Sequence, residues 1–323
     1  MGLDFAPMEG ITSREFRETH AACFAGVERY WLPFLSPTSV HQLTPRQKRD
    51  LEPGPLGCGR LVPQVLTREP EDFLWAAQAL GELGYGEVNL NLGCPSGTVV
   101  SKGRGAAMLR DPAALDRFLD AVFARTPLPI SLKTRVGLES PEEWEGLLPV
   151  LARYPVRELT LHPRTRRELY RGGVHPETVR RALELLPYPL RYNGNLFTPG
   201  GVGRLEAACP GLSGIMVGRG LLADPALAAR CQGGCRERRA LVDFHETLAE
   251  RYLSFMHPDA AVLPKFKELW AYLALLLADG KPWKRLRKCT RWTEFHSLAL
   301  NLLQNAALLE EAEFSRIDQY ECW

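Results

Sequence analysis

The chain has 323 residues, of which 45% are hydrophobic and 24% are charged, and 40 Lys and Arg against 38 Asp and Glu give a formal net charge of +2. This composition excludes a disordered or collagen-like chain, and no run of about eighteen apolar residues would cross a membrane as a helix. Because the net charge is near zero, any anionic partner must be held by local basic patches rather than by a global field.

Short β-rich runs alternate with helical runs along the first two thirds of the chain, a pattern typical of a parallel sheet built from βα units. Helix starts between them are marked by X-Pro pairs at Asp111, Ser140, Thr198 and Asp224. The eight predicted strands are the number that closes a (β/α)8 TIM barrel. They are expected at residues 3–8, 28–32, 60–65, 87–92, 129–135, 157–162, 189–193 and 214–217.

After about residue 235 the strand patterns stop, and apolar residues recur at helical spacing. We therefore predict two domains, an α/β barrel over residues 1–235 and a small all-α domain over residues 236–323. Three apolar stripes define the second domain. They consist of Leu241, Phe244, Leu248, Tyr252 and Phe255; of Phe266, Leu269, Trp270 and Leu273; and of Leu298, Leu302 and Leu303.

The cysteines are scattered along the chain at positions 23, 58, 94, 209, 231, 235, 289 and 322, and the N-terminal sequence has no basic and apolar regions of a secretion signal. We therefore expect a cytoplasmic protein with free thiols. Cys231 and Cys235 are the one close pair. Because no second Cys or His pair lies at zinc-finger spacing, we expect no metal.

The most informative pattern is a polar face on the predicted strands, which side-chain alternation directs into the barrel. A barrel interior is usually filled by branched apolar residues, and burying polar groups without partners is costly. We therefore expect a planar, polar, partly anionic ligand at the barrel mouth to bind these side chains. The pairs that share a face are Val62 with Gln64, Asn89 with Asn91, Lys133 with Arg135, Thr160 with His162, and Arg191 with Asn193.

Two glycine-rich segments follow the last two predicted strands, where barrels of this kind bind phosphate. One is Tyr192-Asn193-Gly194-Asn195, and the other runs from Gly214 to Gly220 and contains Arg219. No Gly-x-Gly-x-x-Gly directly follows a strand, which disfavours a Rossmann dinucleotide site.

A single cysteine, Cys94, lies between Gly93 and Pro95 in a tight loop after the fourth predicted strand. An ordinary thiol is mostly protonated at neutral pH, so Cys94 serves as a proton donor as easily as a nucleophile. The sequence contains no Ser-His-Asp arrangement and no HExxH motif, so hydrolases have little support.

Basic residues are concentrated in four segments. Charge runs are usually solvated faces, but four of them around one barrel mouth favour an RNA partner. The segments contain Arg46, Lys48 and Arg49; Lys102 and Arg104; Arg164, Arg166, Arg167 and Arg171; and Lys281, Lys284, Arg285, Arg287, Lys288 and Arg291, interleaved with Trp283 and followed by Trp292.

Taken together, these residues resemble the tRNA-dihydrouridine synthase family over nearly the whole chain. The resemblance implies an FMN-binding (β/α)8 barrel, here residues 1–235, and a helical tRNA-binding domain, here residues 236–323. It is carried by Ala6-Pro7-Met8-Glu9-Gly10, Gln64, Asn91-Leu92-Gly93-Cys94-Pro95-Ser96, Lys133-Thr134-Arg135, His162-Pro163-Arg164-Thr165-Arg166, Tyr170-Arg171-Gly172, Asn193-Gly194-Asn195 and Gly218-Arg219-Gly220.

The resemblance also implies a role for each matched residue. Cys94 would be the general acid, and Asn91 and Arg135 would hold the target uracil with Tyr170 nearby. The sequence departs from the family at Pro163, where Gly is usual, and at Asn195, where an acid is common. The implied flavin contacts are Pro7, Met8 and Glu9 along the isoalloxazine; Gln64 and Lys133 at its polar edge; His162; and Asn193, Gly194, Asn195, Gly218 and Arg219 on the phosphate side.

The implied reaction reduces the C5=C6 bond of a specific uridine in tRNA to 5,6-dihydrouridine. NADPH or NADH would reduce FMN, hydride would pass from flavin N5 to uracil C6, and Cys94 would protonate C5. The negative charge of reduced flavin near N1 suits Lys133. The base would be extruded from the folded RNA into the pocket. We expect a monomer with tRNA as its partner and no membrane association.

Two alternatives stay open from the sequence. A related FMN barrel acting on a free pyrimidine, such as a dihydroorotate or dihydropyrimidine dehydrogenase, explains the barrel but not the helical domain or the basic segments. An RNA-folding factor with a vestigial flavin site explains those features but not the presence of Gln64, Cys94, Lys133 and His162 together.

Overall fold

The computed structural model describes residues 1–316, and the last seven positions, including Cys322 and the end of the predicted helical domain, lie outside the described part. Within that part, parallel strands form one sheet. They are β1 Gly2–Phe5, β2 Tyr30–Trp31, β3 Leu61–Val62, β4 Gln64–Val65, β5 Val88–Leu92, β6 Ile130–Gly137, β7 Leu159–Thr165, β8 Leu190–Asn193 and β9 Gly214–Val217.

The sheet closes on itself through one interrupted strand. Its order is β3-β2-β1-β9-β8-β7-β6-β5-β4, and the two outer members, β3 and β4, are consecutive pieces of a single extended segment divided at Pro63. Proline has no N–H for the sheet ladder, although the Pro63 carbonyl still accepts from the Asn89 amide at 2.9 Å. The predicted TIM-barrel fold is confirmed, and the strand predicted at residues 60–65 is divided into two.

Helices alternate with the strands and cover the barrel. Two of the predicted helix starts are present with a side-chain cap: Asp111 Oδ1 accepts from Ala113 N at 3.0 Å, and Thr198 Oγ1 accepts from Gly201 N at 3.0 Å. The barrel helices are α1 Arg14–Cys23, α2 Pro45–Leu51, α3 Pro70–Glu82, α4 Gly97–Val100, α5 Pro112–Phe123, α6 Trp144–Leu151, α7 Pro176–Leu185, α8 Pro199–Ala208, α9 Arg219–Ala223 and α10 Leu227–Cys231.

The other two predicted helix starts differ in detail. Ser140 begins a short 3-10 turn, Pro141–Glu143, that leads into α6, and its N–H donates to Glu143 at 3.2 Å as in a capping box. At Asp224 the helix α10 starts two residues later than Pro225. The Asp224 carboxylate instead binds the guanidinium of Arg230 at 2.7 Å, so it stabilises the turn before the helix.

The inside of the barrel is layered along its axis. At the N-terminal ends of the strands, Arg29 Nη2 donates to Asp4 Oδ2 at 2.8 Å and to Glu158 Oε1 at 2.5 Å. Arg191 Nε donates to the same Glu158 oxygen at 3.1 Å. A separate apolar cluster, Ala6, Trp31, Val62 and Met216, lies on the inner face of the barrel.

This layering corrects one expectation. Arg191 does not line the cavity at the mouth of the barrel, because Glu158 and Asp4 bind its guanidinium near the opposite end. Asn89 also bonds within the protein, to Gln64 and to Ser131 Oγ at 3.1 Å. The polar face of the strands therefore has two functions, a closed ionic network at the bottom and an open cavity at the top.

The region after the barrel is helical, as predicted. It packs against the first barrel helix, with the rings of Phe16 and Phe244 at 5.5 Å in a T-shaped contact and Ser13 Oγ 2.8 Å from the Tyr252 hydroxyl. Lys265 Nζ donates to the Gly10 carbonyl at 3.0 Å. Its helices are α11 Arg238–Leu253, a π-helical turn Pro258–Val262, α12 Leu263–Leu273, α13 Lys281–Leu286 and α14 Trp292–Asn305.

One residue of the predicted apolar stripes is not in the core. Phe255 is 44% exposed because α11 ends two residues before it, and the guanidinium of Arg49 lies 4.5 Å from its ring. Among residues 1–316, no helix is both long and apolar enough to cross a membrane.

We predict that Arg29→Ala destabilises the barrel by about 3 kcal/mol, since it removes one of the two guanidinium groups that neutralise the buried carboxylates of Asp4 and Glu158 and leaves Arg191 alone with both. Urea titration of both proteins measures the free energy of unfolding. The matched control is Arg157→Ala, whose exposed side chain pairs with Glu87 and is expected to cost no more than about 1 kcal/mol. Equal losses in the two variants would contradict the network.

Candidate active site

A cavity of about 300 Å³ opens at the C-terminal ends of the strands, within the usual size range of ligand pockets. The structure brings every site residue implied by the family resemblance to the wall of this one cavity, whereas Asn89, Thr160 and Arg191 of the polar strand faces do not line it. The implied residues on the wall are Pro7, Met8, Glu9, Gln64, Asn91, Cys94, Lys133, Arg135, His162, Tyr170, Asn193, Gly194, Asn195, Gly218 and Arg219.

Several wall residues were missed by the sequence analysis. They share one signal that would have found them, since each follows the C-terminal end of a strand or directly flanks a predicted site residue. They are Ala6, Pro33, Phe34, Gly93, Pro95 and Phe197.

The loop that carries Cys94 is held by amide hydrogen bonds from the neighbouring strands. Asn91 Oδ1 accepts from the backbone N–H groups of Gly93 at 3.0 Å and Cys94 at 2.9 Å. Asn91 Nδ2 in turn donates to Gln64 Oε1 at 2.7 Å, and Gln64 Nε2 donates to Asn89 Oδ1 at 2.9 Å. This chain of amides fixes the position of the Cys94 backbone relative to two strands.

The other side of the same loop depends on a glycine. Gly105 has a φ of +59°, and a Cβ there would lie 2.9 Å from the Cys94 carbonyl oxygen. Only glycine adopts this conformation and leaves this space without strain. Burial raises the pKa of the Cys94 thiol, so the thiol is protonated at neutral pH and is able to donate a proton at the cavity wall.

Lys133 on β6 and His162 on the adjacent strand β7 both line the cavity, and the positive charge in this part of the wall comes from Lys133 and its neighbour Arg135. Within the described residues no ion pair holds Lys133, and burial followed by the nearby charge of Arg135 lowers its pKa to about 7. Burial and the same cations hold the pKa of His162 well below its usual value, so its ring is neutral at pH 7. An anionic ligand here would favour the charged form of Lys133.

Arg135 ties two loops of the cavity mouth together. Its Nε donates to the Gly93 carbonyl at 3.0 Å, and its Nη1 donates to the carbonyls of Thr165 at 2.8 Å and Leu169 at 2.9 Å. Leu169 has a φ of +55°, which a side chain rarely adopts, and the next residue, Tyr170, stands at the rim with 43% of its surface exposed. Arg135 therefore holds the strained turn that presents Tyr170.

The opposite wall of the cavity is built around Asn195. Its Oδ1 accepts from Arg164 Nη1 at 3.1 Å and from Arg219 Nη2 at 3.0 Å, while its Nδ2 is buried and has no acceptor among the described residues. At Gly218 a Cβ would lie 3.0 Å from Met8 Sδ, so a side chain there would narrow the cavity. Two guanidinium groups and an unsatisfied amide donor suit an anion such as a phosphate group.

The basic segments are mostly on the surface, with two corrections. Arg164 is fully buried because it binds Asn195, and Trp292 is 5% exposed because it packs in the core of the helical region. The exposed members are Arg46, Lys48, Lys102, Arg167, Arg171, Lys281, Lys284, Arg285, Arg287, Lys288 and Arg291.

The cysteine pair predicted to lack a metal is half-buried at Cys231 and exposed at Cys235, and both are free thiols. In residues 1–316 no group of three or more His, Cys, Asp or Glu side chains is arranged to hold a metal ion.

Comparison with known proteins gives a consistent result. A sequence model described as dihydrouridine synthase matches residues 4–312. A probable tRNA-dihydrouridine synthase of Staphylococcus epidermidis is 28% identical over 264 residues, which cover 76% of this chain and 77% of that protein. tRNA-dihydrouridine synthase B of Pseudomonas aeruginosa is 29% identical over 229 residues, which cover 69% and 66% of the two chains.

Solved structures with the same fold include morphinone reductase. A mutant of that enzyme in complex with tetrahydroNAD has a TM-score of 0.52 at 13% identity, covering 75% of this chain and 90% of that chain. A second structure of morphinone reductase has a TM-score of 0.51 at 14% identity, covering 75% and 88%. At this identity the likeness shows the barrel fold alone.

We predict that Lys133→Met changes the pH dependence of stability of the ligand-free protein. The pKa of Lys133 is about 7 in the folded protein and 10.5 ordinarily, so between these values the unfolded chain holds the proton more often and the contribution of Lys133 to stability rises with pH. The free energy of unfolding of the wild type minus that of the variant should therefore increase from pH 7 to pH 10.5. A constant difference, measured by urea titration, would contradict the lowered pKa.

Proposed function

Because the chain belongs to the dihydrouridine synthase family, we propose that it reduces the C5=C6 bond of a specific uridine in tRNA to 5,6-dihydrouridine. One observation carries the proposal: the loop of Cys94 is fixed by Asn91, and it places the half-buried thiol on the wall of a cavity that Lys133, Arg135 and Arg219 also line. The names of the Staphylococcus and Pseudomonas relatives support tRNA as the substrate.

We propose FMN as the cofactor, with NADPH or NADH as the reductant. The Nδ2 of Asn195, which has no acceptor among the described residues, suits the phosphate group of FMN. Lys133, which has no ion pair among the described residues, suits its flavin ring. When bound, FMN supplies a hydride to C6 of the base. The residues that would hold the ring are Pro7, Met8, Glu9, Gln64, Lys133 and His162, and those that would hold the phosphate side are Asn193, Gly194, Asn195, Gly218 and Arg219.

Cys94 would act as the general acid. Its buried thiol keeps its proton at neutral pH and would transfer that proton to C5 of the base. Lys133 and Arg135 both lower the pKa of Cys94, so they would stabilise the thiolate that the transfer leaves behind. Solvent at the cavity mouth would then return a proton to the sulfur.

Asn91 and Arg135 would hold the uracil through the donors that the protein itself does not use. Asn91 Nδ2 spends one of its two N–H bonds on Gln64, and Arg135 spends three of its five on backbone carbonyls. The remaining donors suit the two carbonyl oxygens of uracil. Tyr170, at the rim, would lie beside the base.

The target base lies inside a folded RNA and must be extruded into the cavity, which costs a few kcal/mol. We propose that the helical domain, residues 236–323, together with the basic loops, binds the tRNA and offsets this cost. Supporting this, the exposed segment from Lys281 to Arg291 carries six basic residues. Binding through such residues should weaken as salt rises.

We predict that Cys94→Ala leaves the cofactor bound and reducible but lowers dihydrouridine formation by at least about a hundredfold, the usual contribution of a general acid. The measurement pairs the flavin absorbance during NADPH oxidation with mass spectrometry of digested tRNA. Cys235→Ala, which removes an exposed thiol away from the cavity, is the matched control and should react at the wild-type rate. A Cys94→Ala enzyme with near wild-type turnover would refute the assignment of the acid.

A further inference from the structure

A second cavity, of about 220 Å³, adjoins the first and has no role in the reaction described above. It lies between the chain that leaves β2 and helix α2, and we call it the side cavity. Glu9, Pro33 and Phe34 line both cavities, so the two spaces meet at these residues.

Phe34 is the aromatic residue at this junction. Its side chain is half-buried, and within the described residues no ring or cation stacks on it. An aromatic ring with an unused face beside a ligand cavity is the kind of surface on which a nucleic-acid base stacks, regardless of its sequence.

The charged groups of the side cavity suit a base better than a phosphate. Arg46 Nη2 lies 3.7 Å from Glu9 Oε1 and Arg46 Nε lies 3.8 Å from Asp50 Oδ2, both beyond hydrogen-bond distance, and the Arg46 side chain is 69% exposed. One guanidinium and two carboxylates offer donors and acceptors to the edge of a neutral base, whereas the two carboxylates would repel a phosphate.

Thr44 and Gln47, two further polar residues of the side cavity, bond to each other and to the backbone of Ser36. Thr44 Oγ1 accepts from Gln47 N at 3.2 Å, Gln47 Oε1 accepts from Thr44 N at 2.9 Å, and Gln47 Nε2 donates to the Ser36 carbonyl at 3.2 Å. These bonds fix the start of α2 and thereby the position of Arg46. Arg46, Glu9 and Asp50 are the charged groups of the side cavity.

We propose that the side cavity binds the base of the nucleotide adjacent to the target uridine, with Phe34 stacking on that base and Arg46 contacting its edge. The inference rests on the proposed function, since a polymer whose uracil enters the first cavity leaves its neighbour at the mouth, beside Phe34. A dinucleotide reductant is a poorer occupant, because its diphosphate would meet the carboxylates of Glu9 and Asp50.

The test compares the tRNA whose target uridine has been mapped with two variants of it, one with an abasic site on the 5′ side of that uridine and one with an abasic site on its 3′ side. Fluorescence anisotropy gives Kd for the wild type, Phe34→Ala, Phe34→Tyr and Lys48→Ala. We expect the wild type to bind one abasic RNA about tenfold more weakly than the intact tRNA, as for a lost base stack. Phe34→Ala should bind the intact tRNA more weakly than the wild type does, by the same factor, and should bind that abasic RNA with the wild-type Kd. Phe34→Tyr should behave as the wild type.

Lys48→Ala is the matched control, because it removes a charge from the same helix without lining the side cavity. It should weaken the binding of the intact tRNA and of that abasic RNA by one common factor. The proposal is overturned if Phe34→Ala also weakens the binding of the intact tRNA and of that abasic RNA equally, or if the wild type binds the intact tRNA and both abasic RNAs with the same Kd. If no uridine of any tRNA is converted, the proposed function fails and this inference fails with it. If a uridine is converted but the effect of Phe34→Ala does not depend on the neighbouring base, the inference alone is overturned.

Discussion

The structure depends on one constraint, that each polar or charged group buried inside the barrel must have a partner. At the bottom of the barrel this is met within the protein, where Arg29 and Arg191 bind Asp4 and Glu158. At the top it is not met, since Lys133 has no ion pair and Asn195 Nδ2 has no acceptor within residues 1–316. The incomplete pairing of charged and amide groups at one end of the barrel distinguishes the cavity from the ionic network at the other end and suits an anionic ligand.

The same side chains that face the cavity also hold its walls. Asn91 fixes the Cys94 loop through its oxygen, and Arg135 joins the Gly93 loop to the turn before Tyr170. A substitution at either residue therefore alters the position of the thiol and the rim as well as any contact with a base. This double use explains why so many polar residues on five strands converge on one small space.

Most of the residues that line the cavity could be found from the sequence because alternation along a strand and loop position after a strand are local properties. The strand that contains Asn91, the Cys94 loop and the glycine-rich segment that contains Arg219 were all found in this way. Depth along the barrel axis is not local, so Arg191 was assigned to the ligand although carboxylates from β1 and from the residue before β7 bind it. For the same reason the sequence did not reveal Phe34, whose role depends on two cavities meeting.

The predictions for Phe255 and Trp292 in the helical region were wrong for a similar reason. Phe255 continues the apolar periodicity of α11 in the sequence, but the helix ends at Leu253. Phe255 therefore lies outside the helix and is exposed. Trp292 follows a basic segment and was grouped with it, yet it packs in the core against Phe295 with ring centroids 6.0 Å apart. Charge and aromatic content predict a surface only when the helix face is known.

The most direct test of the account is mass spectrometry of unmodified tRNA incubated with the purified protein and NADPH in heavy water, with each mass change mapped to a nucleotide. We expect one uridine to gain two hydrogens, of which the one at C5 is deuterium because it comes from solvent through the Cys94 thiol. A protein that oxidises NADPH and reduces free uracil or orotate, while every uridine of the tRNA keeps its mass, would contradict the claim.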